Sequence, residues 1–120
     1  VYDAVGGQPF FDALVERFYG RVEADPVLRP LYPEDLGPGK RALALFLGQY
    51  WGGPTTYSDE KGHPRLRMRH VDFAIGPAER DAWHDAMAAS VRDAALPADL
   101  ERRLLEYFAM AADHLVNRAG

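Results

Sequence analysis

Residues 10–22 read FFDALVERFYGRV. Phe10, Phe11, Leu14, Val15, Phe18, Tyr19 and Val22 return every three or four positions, with Glu16 and Arg17 on the other side. A helix gathers that spacing into one apolar stripe, whereas a strand would scatter it over two faces. The stretch therefore predicts an amphipathic helix, ended near Asp25-Pro26 because proline has no amide N–H to continue the ladder.

Working outward, Val27 to Pro33 carries Pro30 and Pro33 and has room only for a short helical turn and a bend. A second helix is expected from near Pro38 or Gly39 through Leu43, Phe46, Leu47 and Tyr50, stopped by Gly52-Gly53-Pro54. From Gly53 to Pro64 no apolar period exists, and a loop of that length points to function or mobility. Pro64 suits the first turn of a short helix ending around His70. Gly76-Pro77 opens a long helix with Trp83, Met87 and Ser90 or Val91 on one face and Ala86 beside them. Pro97 opens the last, whose stripe reads Leu100, Leu104, Phe108, Ala111 and Leu115. Neither an internal repeat nor a linker interrupts the pattern. The reading is one all-α domain over residues 1–120, with four longer helices and two short ones.

Composition bounds the chemistry. Of the 120 residues 48% are hydrophobic and 27% charged, the profile of an ordinary folded domain with enough chain for a packed core. With no cysteine, thiolate zinc sites, iron–sulfur clusters and CxxC redox chemistry are excluded. Eighteen acidic against 14 basic side chains give a net charge of −4, which argues against nucleic acid as a partner. No apolar run approaches the roughly 20 residues of a membrane span, and Val1 to Phe10 lacks the basic-then-apolar order of a signal peptide. A cytoplasmic location with no membrane span is the expectation.

The four histidines are His63, His70, His84 and His114, and no pair has the HExxH spacing of a zinc protease. His84 follows Trp83 by about 100° on the helix, so with Trp83 facing inward it is expected to point to solvent. His114 adjoins Leu115 on the flank of the last stripe, where a half-buried packing role is expected. His63, held extended before Pro64, suits either a helix cap or an anionic ligand. His70 differs from these because Leu66 lies one turn before it, Phe73 three residues after it, and Arg65, Arg67 and Arg69 beside it. A lone histidine on an apolar face is most often a satisfied core residue. Apolar walls for a flat cofactor with cations for its carboxylates are nevertheless what haem requires.

A second constellation is aromatic: Tyr19, Tyr32, Tyr50, Trp51, Tyr57 and Trp83. Such residues usually pack with one polar tip, but Tyr19 and Trp83 belong to inward faces of different helices and their O–H and N–H groups are free to converge. Gly6-Gly7 and Gly52-Gly53 lack the pattern of a nucleotide loop, and Glu79, Asp81, Asp85, Glu101 and Glu106 are spread over helical faces that read as solvated.

Six segments in order carry a resemblance: Tyr2-Asp-Ala-Val-Gly-Gly7, Arg17-Phe-Tyr19, Leu31-Tyr-Pro-Glu-Asp35, Gln49-Tyr-Trp-Gly-Gly-Pro54, Gly62-His-Pro-Arg-Leu-Arg-Met-Arg-His70 and Glu79-Arg-Asp-Ala-Trp83. Through them the chain resembles the truncated haemoglobins, specifically their second group, with actinobacterial members. The resemblance implies a two-over-two helical sandwich around haem b, the first long helix paired with the second and the last two with each other. It implies His70 as the proximal iron ligand and Tyr19, Tyr32 and Trp83 as distal residues. Gly39 or a neighbour would fall where larger globins place a distal histidine, with Leu43 and Phe46 on the distal wall. Leu66, Phe73 and Met87 would pack on the porphyrin, and Tyr57, His63, Arg67 and Arg69 would meet its propionates.

Two functions follow from the resemblance. The first is reversible binding of O₂, and of CO or nitric oxide, with slow release because uncharged donors stabilise the negative charge a bound ligand acquires. The second is a redox enzyme consuming O₂ with nitric oxide, or peroxide, through an unidentified reductase. A homo-oligomer is left open, and a non-haem interaction module would leave His70 and the Tyr/Trp set unexplained.

Overall fold

A computed structural model describes residues 2–55, 59 and 76–115. Four α-helices are present there: α1 (Gln8–Ala24), α2 (Gly37–Tyr50), α3 (Pro77–Arg92) and α4 (Ala98–Leu115). A 3₁₀ turn at Arg29–Leu31 joins the first two. The helix expected to end at His70 lies outside the described residues, as does most of the loop before it; Asp59, expected in that loop, is helical, its amide donating to the Thr55 carbonyl at 3.0 Å.

Each boundary has a local cause. Gly7, at φ 77°, turns the chain into α1, and Pro9 occupies the first turn, where its missing N–H costs no ladder bond. At the far end the Asp25 carboxylate accepts the amides of Val27 at 2.8 Å and Leu28 at 3.3 Å, carrying the chain around Pro26. Helix α2 begins at Gly37, one residue ahead of Pro38, because Asp35 Oδ1 receives the Gly37 N–H at 3.0 Å. It stops where Gly52 adopts φ 107° and Gly53 N–H turns back to the Gly48 carbonyl at 2.8 Å. Gly76 N–H donates to Glu79 Oε1 at 2.8 Å, which closes the first turn of α3 and makes Glu79 half-buried and structural rather than a solvated surface acid.

Packing produces the paired arrangement. Helix α1 lies along α2, α3 lies along α4, and α1 crosses onto α3 to join the two layers. Phe11, Leu14, Val15, Phe18 and Val22 fill the centre from α1, meeting Leu47 of α2, Met87 and Val91 of α3, and Leu104 and Phe108 of α4. This is the two-over-two sandwich expected from the sequence. Arg17 and Arg21 fasten the crossing: Arg17 Nε donates to the Ser90 carbonyl at 3.1 Å, and Arg21 reaches Ser90 Oγ at 3.2 Å and Asp93 at 2.7 Å.

Other placements also depart from expectation, among them Glu101, which is half-buried rather than solvated. The innermost row of α4 is Leu104, Phe108 and Ala112, with Ala111 only half-buried, because the strict i, i+4 row rather than the i+3 step faces α3. His114 is exposed, not half-buried, and its Nδ1 sits 2.8 Å from the Met110 carbonyl on its own helix. His84, expected to point to solvent, is half-buried.

Candidate functional site

Tyr19, on the inward face of α1, is only 4% exposed. Its ring meets Phe18 edge-on at 5.4 Å and Tyr32 at 5.5 Å. Phe18 in turn meets Trp83 of α3 at 5.7 Å, and the Trp83 indole lies close enough to the Tyr32 phenol to lower its proton affinity. Three polar-tipped aromatics from α1, from the bend after the 3₁₀ turn, and from α3 are thus brought together.

Helix α2 supplies the facing wall. A Cβ on Gly39 would stand 2.9 Å from Tyr19 Oη and 3.7 Å from its Cζ, so bare backbone lies against the phenol. Leu43, one turn further along α2, is half-buried, while Phe46 is buried and its ring lies 6.3 Å from Tyr50. Met87, one turn beyond Trp83 on α3, is fully buried. Tyr57, His63, Leu66, Arg67, Arg69, His70 and Phe73 lie outside the described residues.

Burial dominates the electrostatics. Removal from water pushes the Tyr19 hydroxyl up to about 12. Tyr32 is pushed higher still, first by burial and then by Tyr19, with the Trp83 hydrogen bond acting in the opposite direction. Both phenols therefore hold their protons throughout the physiological range and act as neutral hydrogen-bond donors rather than as bases.

Arg29 is a contributor that the sequence pattern did not single out. Its guanidinium donates to the carbonyls of Tyr32 at 3.3 Å, Pro33 at 3.0 Å and Glu34 at 3.1 Å, clamping the bend that carries Tyr32. The pairing of Tyr50 with Tyr107, ring centroids 4.3 Å apart, was likewise invisible to periodicity. Burial, with Tyr50 adding to it, pushes Tyr107 up to about 12. Among the described residues no group of three or more histidines and carboxylates could hold a metal ion, and no described helix is long and apolar enough to cross a membrane.

Residues 1–117 match the family of bacterial-like globins. Among curated proteins, the group 2 truncated haemoglobin YjbI of Bacillus subtilis is 38% identical over 117 residues, covering 98% of this chain and 88% of the relative. A thermostable haemoglobin from the actinobacterium Thermobifida fusca superposes with a TM-score of 0.94 at 59% identity, covering 97% of this chain and 95% of that one. An oxygen-avid truncated haemoglobin from Bacillus subtilis superposes with a TM-score of 0.90 at 38% identity, covering 97% and 98% of the two chains.

Proposed function

The chain belongs to the bacterial-like globins and, within them, to the group II truncated haemoglobins, and from that membership we propose that it binds O₂ through haem b held by His70, with Tyr19, Tyr32 and Trp83 as distal donors. Haem supplies an iron with one position open to a diatomic ligand. The observation that carries the reading is the convergence of Tyr19, Tyr32 and Trp83 on one another, opposite the bare backbone of Gly39.

The donor set suits such a ligand. O₂ gains partial negative charge when bound, and neutral O–H and N–H donors stabilise it without introducing a buried ion that would itself need pairing. The raised proton affinities of both phenols keep the donors loaded at any pH the cell meets. Phe18 packs its ring on both Tyr19 and Trp83, and a lower local dielectric there strengthens each hydrogen bond they donate. The oxygen avidity of the Bacillus subtilis relative agrees with this reading. The test is an absorption spectrum of the purified protein in ferric and ferrous states, and with O₂ or CO. Histidine-ligated haem that takes up both gases reversibly is the expected result, and a protein that refuses haem would end the proposal.

A further inference from the structure

Gly39 has no backbone need to be glycine. Its φ is not in the left-handed region, where Gly6, Gly7 and Gly52 lie, and glycine within a helix costs about 0.5–1 kcal/mol relative to alanine. What the position demands is space. An added Cβ would come within 2.9 Å of Tyr19 Oη, closer than carbon and oxygen normally approach, while the next atoms, Cζ and Cε1, would lie at 3.7 and 3.9 Å in ordinary contact. The collision is therefore with the hydroxyl oxygen alone. Moving that oxygen disturbs packing, because the Tyr19 ring is buried and makes near-perpendicular contacts with Phe18 and Tyr32. Gly20 gives the contrast: it also lies within a helix, and nothing stands within 4 Å of its added Cβ.

We propose that Gly39 is the positioning residue for the Tyr19 hydroxyl, the spacer that seats this donor against α2 and so sets how strongly the site discriminates among small ligands. The inference rests on the reading of Tyr19 as a distal donor. A methyl group at residue 39 drives the phenol oxygen off its seat, and the shift propagates to Tyr32, whose ring packs on the Tyr19 ring. The change enters through geometry alone, since it alters neither the number of donors nor their protonation.

A four-member cycle tests it: wild type, Gly39→Ala, Tyr19→Phe and the double variant, each measured by thermal melting and by the infrared C–O stretch of the CO-bound holoprotein. Deleting the hydroxyl removes the one atom that the new methyl meets. Gly39→Ala is expected to lower the melting temperature by several degrees in wild type and to leave it unchanged or raised in Tyr19→Phe, where only the helix preference for alanine remains. The C–O band of Gly39→Ala is expected to move toward that of Tyr19→Phe, and the second substitution to move it little further. If Gly39→Ala fails to fold and Tyr19→Phe rescues it, the spacer role stands. Equal melting shifts on both backgrounds, failure of both to fold, or a C–O band unmoved by Gly39→Ala would overturn it. A protein that melts cooperatively but takes up no haem would sink the haem reading while leaving the melting cycle to decide the seating of Tyr19.

Discussion

Trp83 separates packing from chemistry at the scale of a single side chain. Its ring lies 5.7 Å from Phe18 and 6.1 Å from Phe108, so the indole is built into the junction of α1, α3 and α4 as well as partnering Tyr32. Trp83→Phe keeps most of that apolar volume and deletes the N–H. A hydrogen bond to a charged acceptor contributes about 1.5–3 kcal/mol, so the variant is expected to release O₂ roughly ten-fold faster or more. CO, which develops less charge, responds less. Flash photolysis and stopped-flow release rates measure both, and two unchanged rates would leave the indole as packing only. Two smaller substitutions probe backbone conformation independently of the site. Gly20, in α1 with open space around it, is expected to gain about 0.5–1 kcal/mol as Gly20→Ala. Ala95, at φ 52° between α3 and α4, is held in the left-handed region, so Ala95→Gly is expected to relieve strain and at least offset glycine's greater chain entropy. Urea unfolding midpoints check the pair, and a destabilised Gly20→Ala would mean that the α1 surface is covered.

Helix α1 shows why much of the fold was legible before any coordinates. Its apolar stripe and its Asp25-Pro26 stop are both local signals, and the helix runs from Gln8 to Ala24 with Phe11, Leu14, Val15, Phe18, Tyr19 and Val22 buried. Proline and glycine punctuation placed the starts of α2, α3 and α4 to within a residue or two for the same reason. What escaped was long-range: which row of α4 faces α3, which ring Tyr50 meets, and what Arg29 does. Arg29 sits in a proline-rich stretch without period, and its function is to donate to three successive carbonyls that only the folded bend brings within reach. Of the candidate site, the Tyr19, Tyr32 and Trp83 set was legible through the resemblance, whereas the closeness of Gly39 to the Tyr19 hydroxyl depends on how near α2 approaches α1. Arg29→Ala is expected to cost on the order of 1 kcal/mol, because its charged bonds are partly solvated. Loss of the clamp frees Tyr32, so O₂ release should also quicken while the helical signal persists. Unchanged release in Arg29→Ala would show that packing against Tyr19 suffices to hold the Tyr32 phenol.

Across the whole molecule, burial of phenols couples stability to alkaline pH. Tyr19 and Tyr107 lose their protons near 10 when unfolded and near 12 when folded. Between those values the unfolded chain has shed protons that the native state retains, so stability falls as pH rises through the window. Phenolate absorbance from these two residues should therefore appear together with loss of helical circular dichroism rather than before it. Haem retention is the complementary whole-molecule test, since among the described residues the core is built mainly from apolar side chains of the four helices. His70→Ala should for that reason leave helical content and cooperative unfolding nearly intact while removing the iron ligand, so that haem binds weakly and exchanges readily. The remaining histidines make useful controls. His84 is half-buried on α3, and the His114 ring is engaged with the Met110 carbonyl on an exposed face of α4. Neither His84→Ala, His114→Ala nor His63→Ala should alter the axial ligation of ferrous haem. If His70→Ala kept an unchanged histidine-ligated ferrous spectrum while one of those three lost it, the ligand would be that other residue.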